Sequence, residues 1–175
     1  MSGGLRHLYT GDGKGKTTAA LGLALRAAGC GLRVVLVQFL KGRDTGELHA
    51  LDQLPNVSIL RLHRDFGFVH TASEQDKQAM MQLHNEMLAE ARRLVLEGLC
   101  DLLILDEICA AYQHGVLDMA MADELVLRKP QAMELVLTGR NAPVSWVDAA
   151  DYVTEMVMRK HPYTRGIAAR RGIEF

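Results

Sequence analysis

The chain is predicted to fold as an α/β protein in three layers, a mostly parallel sheet with helices on both faces. Strand-type and helix-type runs alternate from end to end, the pattern of crossover connections between parallel strands. The runs Leu32 to Leu40 and Asp101 to Leu105 are almost continuously apolar, as strands buried on both faces are. The run from Leu5 feeds a turn with glycines at 11, 13 and 15, and Ala19 to Ala28 then reads as a helix. That is a strand, a glycine-rich loop and a helix.

The remaining elements follow in order. Gly29 and Gly31 close the first helix, and the second strand, Leu32 to Leu40, ends in a polar loop from Lys41 to Glu47. Pro55 and Asn56 precede a third strand, Val57 to Leu62; His63 to Ala72 is irregular but carries Phe66, Phe68 and Val69. Ser73 is an N-cap residue type, and Met80, Leu83, Met87, Ala91 and Leu94 recur at helical spacing until Gly98. The fourth strand runs into Asp106-Glu107. Short helices are expected over Ile108 to His114 and over Asp118 to Lys129, the second stopped by Pro130. A strand at Met133 to Thr138 leads to Gly139-Arg140-Asn141, a helix covers Val144 to Ala150, and a last strand covers Tyr152 to Met158. The tail from Arg159 is basic, yet Tyr163, Ile167, Ile173 and Phe175 interleave apolar groups, so it is expected to fold back onto the domain. No repeat or linker divides the chain, and residues 1–175 are expected to form a single domain.

Composition narrows the classes of function. Of 175 residues, 49% are hydrophobic, enough for a substantial core. Twenty basic and 21 acidic residues leave a net charge of −1, which speaks against nucleic acid as the main partner. Cys30, Cys100 and Cys109 lack metal-like spacing and read as reduced thiols of a cytoplasmic protein. No apolar run reaches the ~18 residues of a membrane span, and no secretory signal pattern opens the chain, so no membrane partner is expected.

The glycine loop carries the first chemistry. Glycines admit positive φ, so successive N–H groups can turn inward around phosphate oxygens, and the helix N-terminus adds partial positive charge. Gly11, Asp12, Gly13, Lys14, Gly15, Lys16, Thr17 and Thr18 are therefore candidate ATP-binding residues. Lys16 can reach phosphate, and the Thr17 hydroxyl can sit on a phosphate-bound Mg²⁺. The usual phosphate-loop pattern has glycine at the position of Thr10. Leu102-Leu103-Ile104-Leu105-Asp106-Glu107 has the form of a Walker B segment, an apolar strand ending in carboxylates that can bind Mg²⁺. Together the two motifs specify the P-loop NTPase, RecA-like version of the α/β fold. Ligands of such sheets bind beyond the strands' carboxyl ends, so the glycine loop, Gln38 to Glu47, Asp106-Glu107 and Gly139-Arg140 should converge on one cleft. Arg140 is a candidate to neutralise phosphate from across it. His70, in an apolar irregular loop, is a further site candidate. The bland alternatives are a glycine turn without ligand, acids that cap the next helix, a solvated arginine and a merely packed histidine.

These segments jointly resemble the P-loop type ATP:cob(I)alamin (corrinoid) adenosyltransferases of bacterial cobalamin biosynthesis, over nearly the whole chain. The segments are Thr10 to Gly22, Gln38 to Gly42, Gly67-Phe68, Leu105 to Glu107, Leu137 to Arg140 and the ending Lys160 to Phe175. In that family threonine replaces the first loop glycine, as Thr10 does here. The resemblance implies transfer of the 5′-deoxyadenosyl group of ATP to the Co(I) of a corrinoid such as cob(I)yrinic acid a,c-diamide, with release of triphosphate. It implies that Gly11 to Thr17 bind triphosphate and that Thr17 and Glu107 hold Mg²⁺. It makes Phe68 a catalytic, corrinoid-facing residue that helps displace the lower axial ligand of cobalt, with His70 beside it where many members have tryptophan. It also implies a homodimer and an electron donor such as a flavodoxin or reduced flavin. Some members close the site with an N-terminal extension; here the first strand begins almost at once, and other elements or a partner subunit are expected to close it.

The chemistry suits the residues. Attack by Co(I) at carbon needs no general base, so no Ser-His-Asp or Cys-His set is required. Charge builds on the departing triphosphate, where Lys16, loop N–H groups and Mg²⁺ are aimed. Two other readings use the same motifs. A P-loop ATPase or small-molecule kinase would yield ADP, and a nucleotide-switched binding module would bind ATP without turnover.

Overall fold

Strings of β-branched and leucine residues set the centre of this protein. In the computed structural model, which describes residues 3–174, the five residues of β2 (Val34–Gln38) and of β4 (Leu102–Asp106) are all buried. They lie side by side in a six-stranded sheet of order β3-β2-β4-β5-β1-β6, completed by β1 (Arg6–Thr10), β3 (Val57–Arg61), β5 (Glu134–Thr138) and β6 (Tyr152–Glu155). Every pairing is parallel. The strand that carries the glycine loop and the strand that carries the acids are thus separated by β5.

Alternate residues of each strand face opposite layers. Val34, Leu36, Leu102, Ile104 and Val136 meet Ala20, Ala24, Ala27 and Ala28 of α1 (Lys16–Gly29). That alanine stripe lets the helix lie close on the sheet. Leu51 of α2 (Gly46–Leu51) joins the same cluster. On the other face Val35, Val37, Leu103, Leu105, Leu135 and Leu137 pack under α3 (Glu74–Leu96), α4 (Ile108–Gln113), α5 (Met119–Leu127) and α6 (Val144–Ala149). Ser73 caps α3 by accepting a hydrogen bond from the Asp76 N–H at 3.1 Å, and Asp118 caps α5 through the Met121 N–H at 3.0 Å.

Three features differ from the expectation. The six-residue helix α2 starts at the end of the expected loop and runs on through residues 48–51, where no element is expected; it is too short to be stable alone and is held by burial of Leu51. Strand β6 stops at Glu155 rather than Met158, because the Met156 carbonyl is used by the glycine loop, accepting from the Gly13 N–H at 2.6 Å. The tail does return to the domain, but Tyr163, Ile167 and Ile173 stay exposed, so polar contacts tether it rather than apolar burial. Phe175 lies outside the described residues.

Candidate functional site

The glycine loop takes its shape from its neighbours as much as from its glycines. Thr10 is still in strand register, opposite Glu155, so no special backbone is needed there. The turn starts one residue later, at Gly11 with φ 92°, and ends at Gly15 with φ 120°. A Cβ on Gly11 or Gly13 would meet the Met156 carbonyl oxygen at 2.5 or 2.6 Å. Close backbone approach requires glycine at both positions, and at Gly11 the positive φ requires it as well.

Lys16 opens α1 and is buried. Its Nζ donates to the carbonyls of Gly11 at 2.6 Å and Gly13 at 2.9 Å, closing a ring inside the loop. Burial holds its ammonium below the usual lysine range, against the nearby Glu107 charge that raises it.

Next along the helix, the Thr17 hydroxyl donates to Asp106 Oδ1 at 2.9 Å. Asp106 is fully buried and is the hub of the site. It also accepts from Thr138 Oγ1 at 2.7 Å, from Gln38 Nε2 at 3.4 Å and from Lys41 Nζ at 2.6 Å. Lys41 Nζ lies 3.0 Å from Thr17 Oγ1 too. Glu107 follows in a left-handed conformation, φ 61°, with its N–H on Thr138 Oγ1 at 2.8 Å. Its side chain makes no capping hydrogen bond to α4. Burial first, and the Asp106 charge second, raise its pKa.

Arg140, from the turn after β5, reaches the loop: Nη2 donates to the Asp12 carbonyl at 3.3 Å and Nε lies 3.4 Å from Asp12 Oδ1. Lys14 turns outward, its Nζ 3.5 Å from the Ile173 carbonyl and 4.0 Å from Glu174. Thr18 lines a cavity of about 780 Å³ between α1, α2 and the tail, together with Thr17, Lys41 and Ile173. A second cavity, of about 280 Å³, opens on the other side of Lys41 and is lined by Gln38, Leu40, Arg43, Arg61 and Phe68. Phe68 is 73% exposed and stacks on His70, ring centroids 5.5 Å apart. Asp65 shapes this loop by accepting the Gly67 N–H at 2.9 Å.

The structure brings Lys16, Thr17, Lys41, Asp106 and Thr138 together at the strand ends and sets Arg140 against the glycine loop; Thr17 and Thr18 line the larger cavity, Phe68 lines the smaller one with His70 stacked on it, and Lys14 faces outward. The hard-oxygen donors Thr17 and Asp106 already share a cation, the Lys41 ammonium, and Glu107 adds a second carboxylate beside them. That donor set fits Mg²⁺, which takes one or two carboxylates and completes its shell with phosphate and water. Among the described residues no cluster of three or more His, Cys, Asp or Glu side chains forms a metal site by itself. Lys41, Gln38 and Thr138 are additions to the expected residues. Lys41 and Gln38 belong to the segment Gln38 to Gly42, and Thr138 to Leu137 to Arg140, so both were visible as motifs without a stated role.

Residues 2–175 match the family model described as ATP:corrinoid adenosyltransferase BtuR/CobO/CobP. The chain is 34% identical to the corrinoid adenosyltransferase of Pseudomonas aeruginosa over 173 residues, which is 98% of this chain and 84% of that protein. It is 34% identical to a corrinoid adenosyltransferase of a Sinorhizobium species, covering 98% and 80% of the two chains. Against the corrinoid adenosyltransferase of Escherichia coli K12 the identity is 31%, covering 98% and 86%.

Proposed function

The chain belongs to the ATP:corrinoid adenosyltransferase family, and from that membership we propose how its residues transfer the 5′-deoxyadenosyl group of ATP to a corrinoid. Corrinoid Co(I) attacks the ribose C5′; a Co–C bond forms, the C5′–O bond breaks, and triphosphate leaves with the electron pair. No proton moves in this step, so no general base is needed.

What the protein supplies is grip on the leaving group. The Lys16 ammonium and the loop N–H groups between Gly11 and Thr18, apart from that of Gly13, which the Met156 carbonyl holds, meet the charge that grows on triphosphate. On arrival of phosphate oxygens, Lys16 exchanges its two loop carbonyls for them. Arg140 adds positive charge from the β5 side. Thr17, Asp106 and Glu107 would hold Mg²⁺, which would neutralise triphosphate charge, with the Lys41 ammonium passing from Thr17 and Asp106 to the phosphate oxygens beside them. The observation that carries the assignment is the position of Lys41. It bonds Thr17 and Asp106 on the triphosphate side and lines the Phe68 cavity on the other. Triphosphate site and corrin-facing loop thus share one side chain.

Phe68 supplies a large exposed ring at the rim, suited to cover the lower face of a flat ligand and to exclude water and a competing axial ligand. His70 backs that ring. We further propose that the 175-residue chain acts as one domain in the cytoplasm, in line with the buried, protonated thiols of Cys100 and Cys109, each pushed up to about 12. A homodimer is supported by the exposed apolar groups Tyr152 and Val153 on edge strand β6. A flavodoxin or reduced flavin is the electron donor for Co(I).

Incubation with ATP, Mg²⁺ and chemically reduced cobalamin tests the reading. The expected products are a light-sensitive alkylcorrin and triphosphate. ADP as product would assign the site to an ATPase or kinase instead.

A further inference from the structure

Leu40 has φ 60°, a left-handed conformation that is costly for a side-chain-bearing residue. It follows β2 and immediately precedes Lys41. The chain is clamped on both sides of it. The Phe39 N–H donates to the Asp106 carbonyl at 3.0 Å, and Gly42 lies so close to the 63–72 loop that a Cβ there would meet the Arg64 carbonyl oxygen at 2.0 Å. The Leu40 N–H itself is taken by His84, a fully buried residue of α3, whose Nε2 accepts it at 3.1 Å. His84 Nδ1 donates to the Val116 carbonyl at 2.7 Å, and the Phe39 ring meets the imidazole edge-on with centroids 5.2 Å apart. A histidine with both ring nitrogens committed in this way has one tautomer and one orientation.

We propose that His84 is a positioning residue for ATP binding: through the Leu40 backbone it holds the left-handed turn that delivers Lys41 onto Asp106 and Thr17. Without that hydrogen bond the turn relaxes toward ordinary φ and Lys41 leaves the triphosphate site. The inference rests on the proposed triphosphate role of Thr17, Asp106 and Lys41.

Two amide substitutions separate the two ends of the imidazole. His84→Gln can place Oε1 where Nε2 stood and keep the Leu40 N–H. His84→Asn reaches only the Nδ1 position, keeping Val116 and losing Leu40. Calorimetric titration of each full-length variant with ATP in the presence of Mg²⁺ should show affinity lowered about tenfold for His84→Asn, as expected for one lost buried hydrogen bond, and within about threefold of wild type for His84→Gln. Lys41→Met should lower affinity at least as much, and adding His84→Asn to it should cost nothing further, because both act through the same ammonium. Equal affinities for the Asn and Gln variants, or additive losses in the double variant, would overturn the proposal. Should His84→Asn not fold, Leu40→Pro removes the N–H that His84 accepts and forbids a positive φ; its loss of ATP affinity must likewise vanish on the Lys41→Met background, and a loss that persists there overturns the proposal. These titrations read binding alone. A wild-type protein that binds ATP but forms no alkylcorrin would remove the transfer reaction and leave the His84 proposal to be judged on its affinities. A wild-type protein that does not bind ATP would remove both.

Discussion

Lys16 is bonded to two carbonyls of its own loop, which hold its ammonium within the loop until, in the proposed reaction, phosphate oxygens take their place. Catalysis at carbon with a charged leaving group depends on such fixed charge more than on proton transfer. Lys16→Ala should lower kcat/KM for ATP at least ~100-fold, on the order of 3 kcal/mol of lost stabilisation, while the fold persists. Near wild-type kcat/KM would refute the role. The two neighbouring acids are separable. Asp106 bonds four side chains and is fully buried, whereas the Glu107 side chain caps nothing. Glu107→Gln should therefore weaken the apparent Mg²⁺ affinity and leave thermal stability nearly unchanged. A metal titration alongside thermal unfolding checks this, and an unchanged metal affinity would return Glu107 to a structural role.

At the level of elements, the connections after the strands do the work. The 63–72 loop is anchored by Asp65 and ends at the Ser73 cap, so Phe68 is presented from a segment tied at both ends. Phe68→Ala should spare ATP binding and much of the reaction with pre-reduced Co(I), whose cobalt has no lower ligand to lose. The defect should appear when reaction starts from Co(II), and His70→Ala should show the same selective defect at smaller size. Equal losses in both assays would make the ring a packing group only. The turn after β5 is tied differently. Gly139 has φ 140°, and a Cβ there would lie 2.7 Å from Cys109 Cβ at the start of α4. Gly139→Ala should cost about 1–3 kcal/mol by strain and overpacking, and should displace Arg140 from Asp12. A denaturant midpoint equal to that of wild type would show that α4 yields to the added methyl.

For the molecule as a whole, His84 ties α3 to the β2 loop and to Val116, and burial lowers its pKa from 6.5 to about 4. The unfolded chain binds that proton more readily than the native one between those values. Its contribution is therefore fully present above pH 6.5 and is lost as the pH falls toward 4, on the order of 3 kcal/mol in total. His84→Gln should flatten the dependence of unfolding free energy on pH across that window relative to wild type. An unchanged slope would mean that another group carries it.

The fold class, the strand–loop–helix around Lys16, the carboxylates at the end of β4 and the Ser73 cap were legible in the sequence, because each depends on residues adjacent in the chain or repeating at a regular period. The family was legible too, because its segments occur in order along nearly the whole length. What only the tertiary structure decided are contacts across long separations. Asp106 rather than Glu107 receives the Thr17 hydroxyl, 89 residues away; Lys41 meets Asp106 across 65 residues; His84 takes the Leu40 N–H across 44. Met156 ends β6 early by closing on the glycine loop. No periodicity encodes such pairs, because they exist only where the parallel sheet brings the ends of distant strands to one edge.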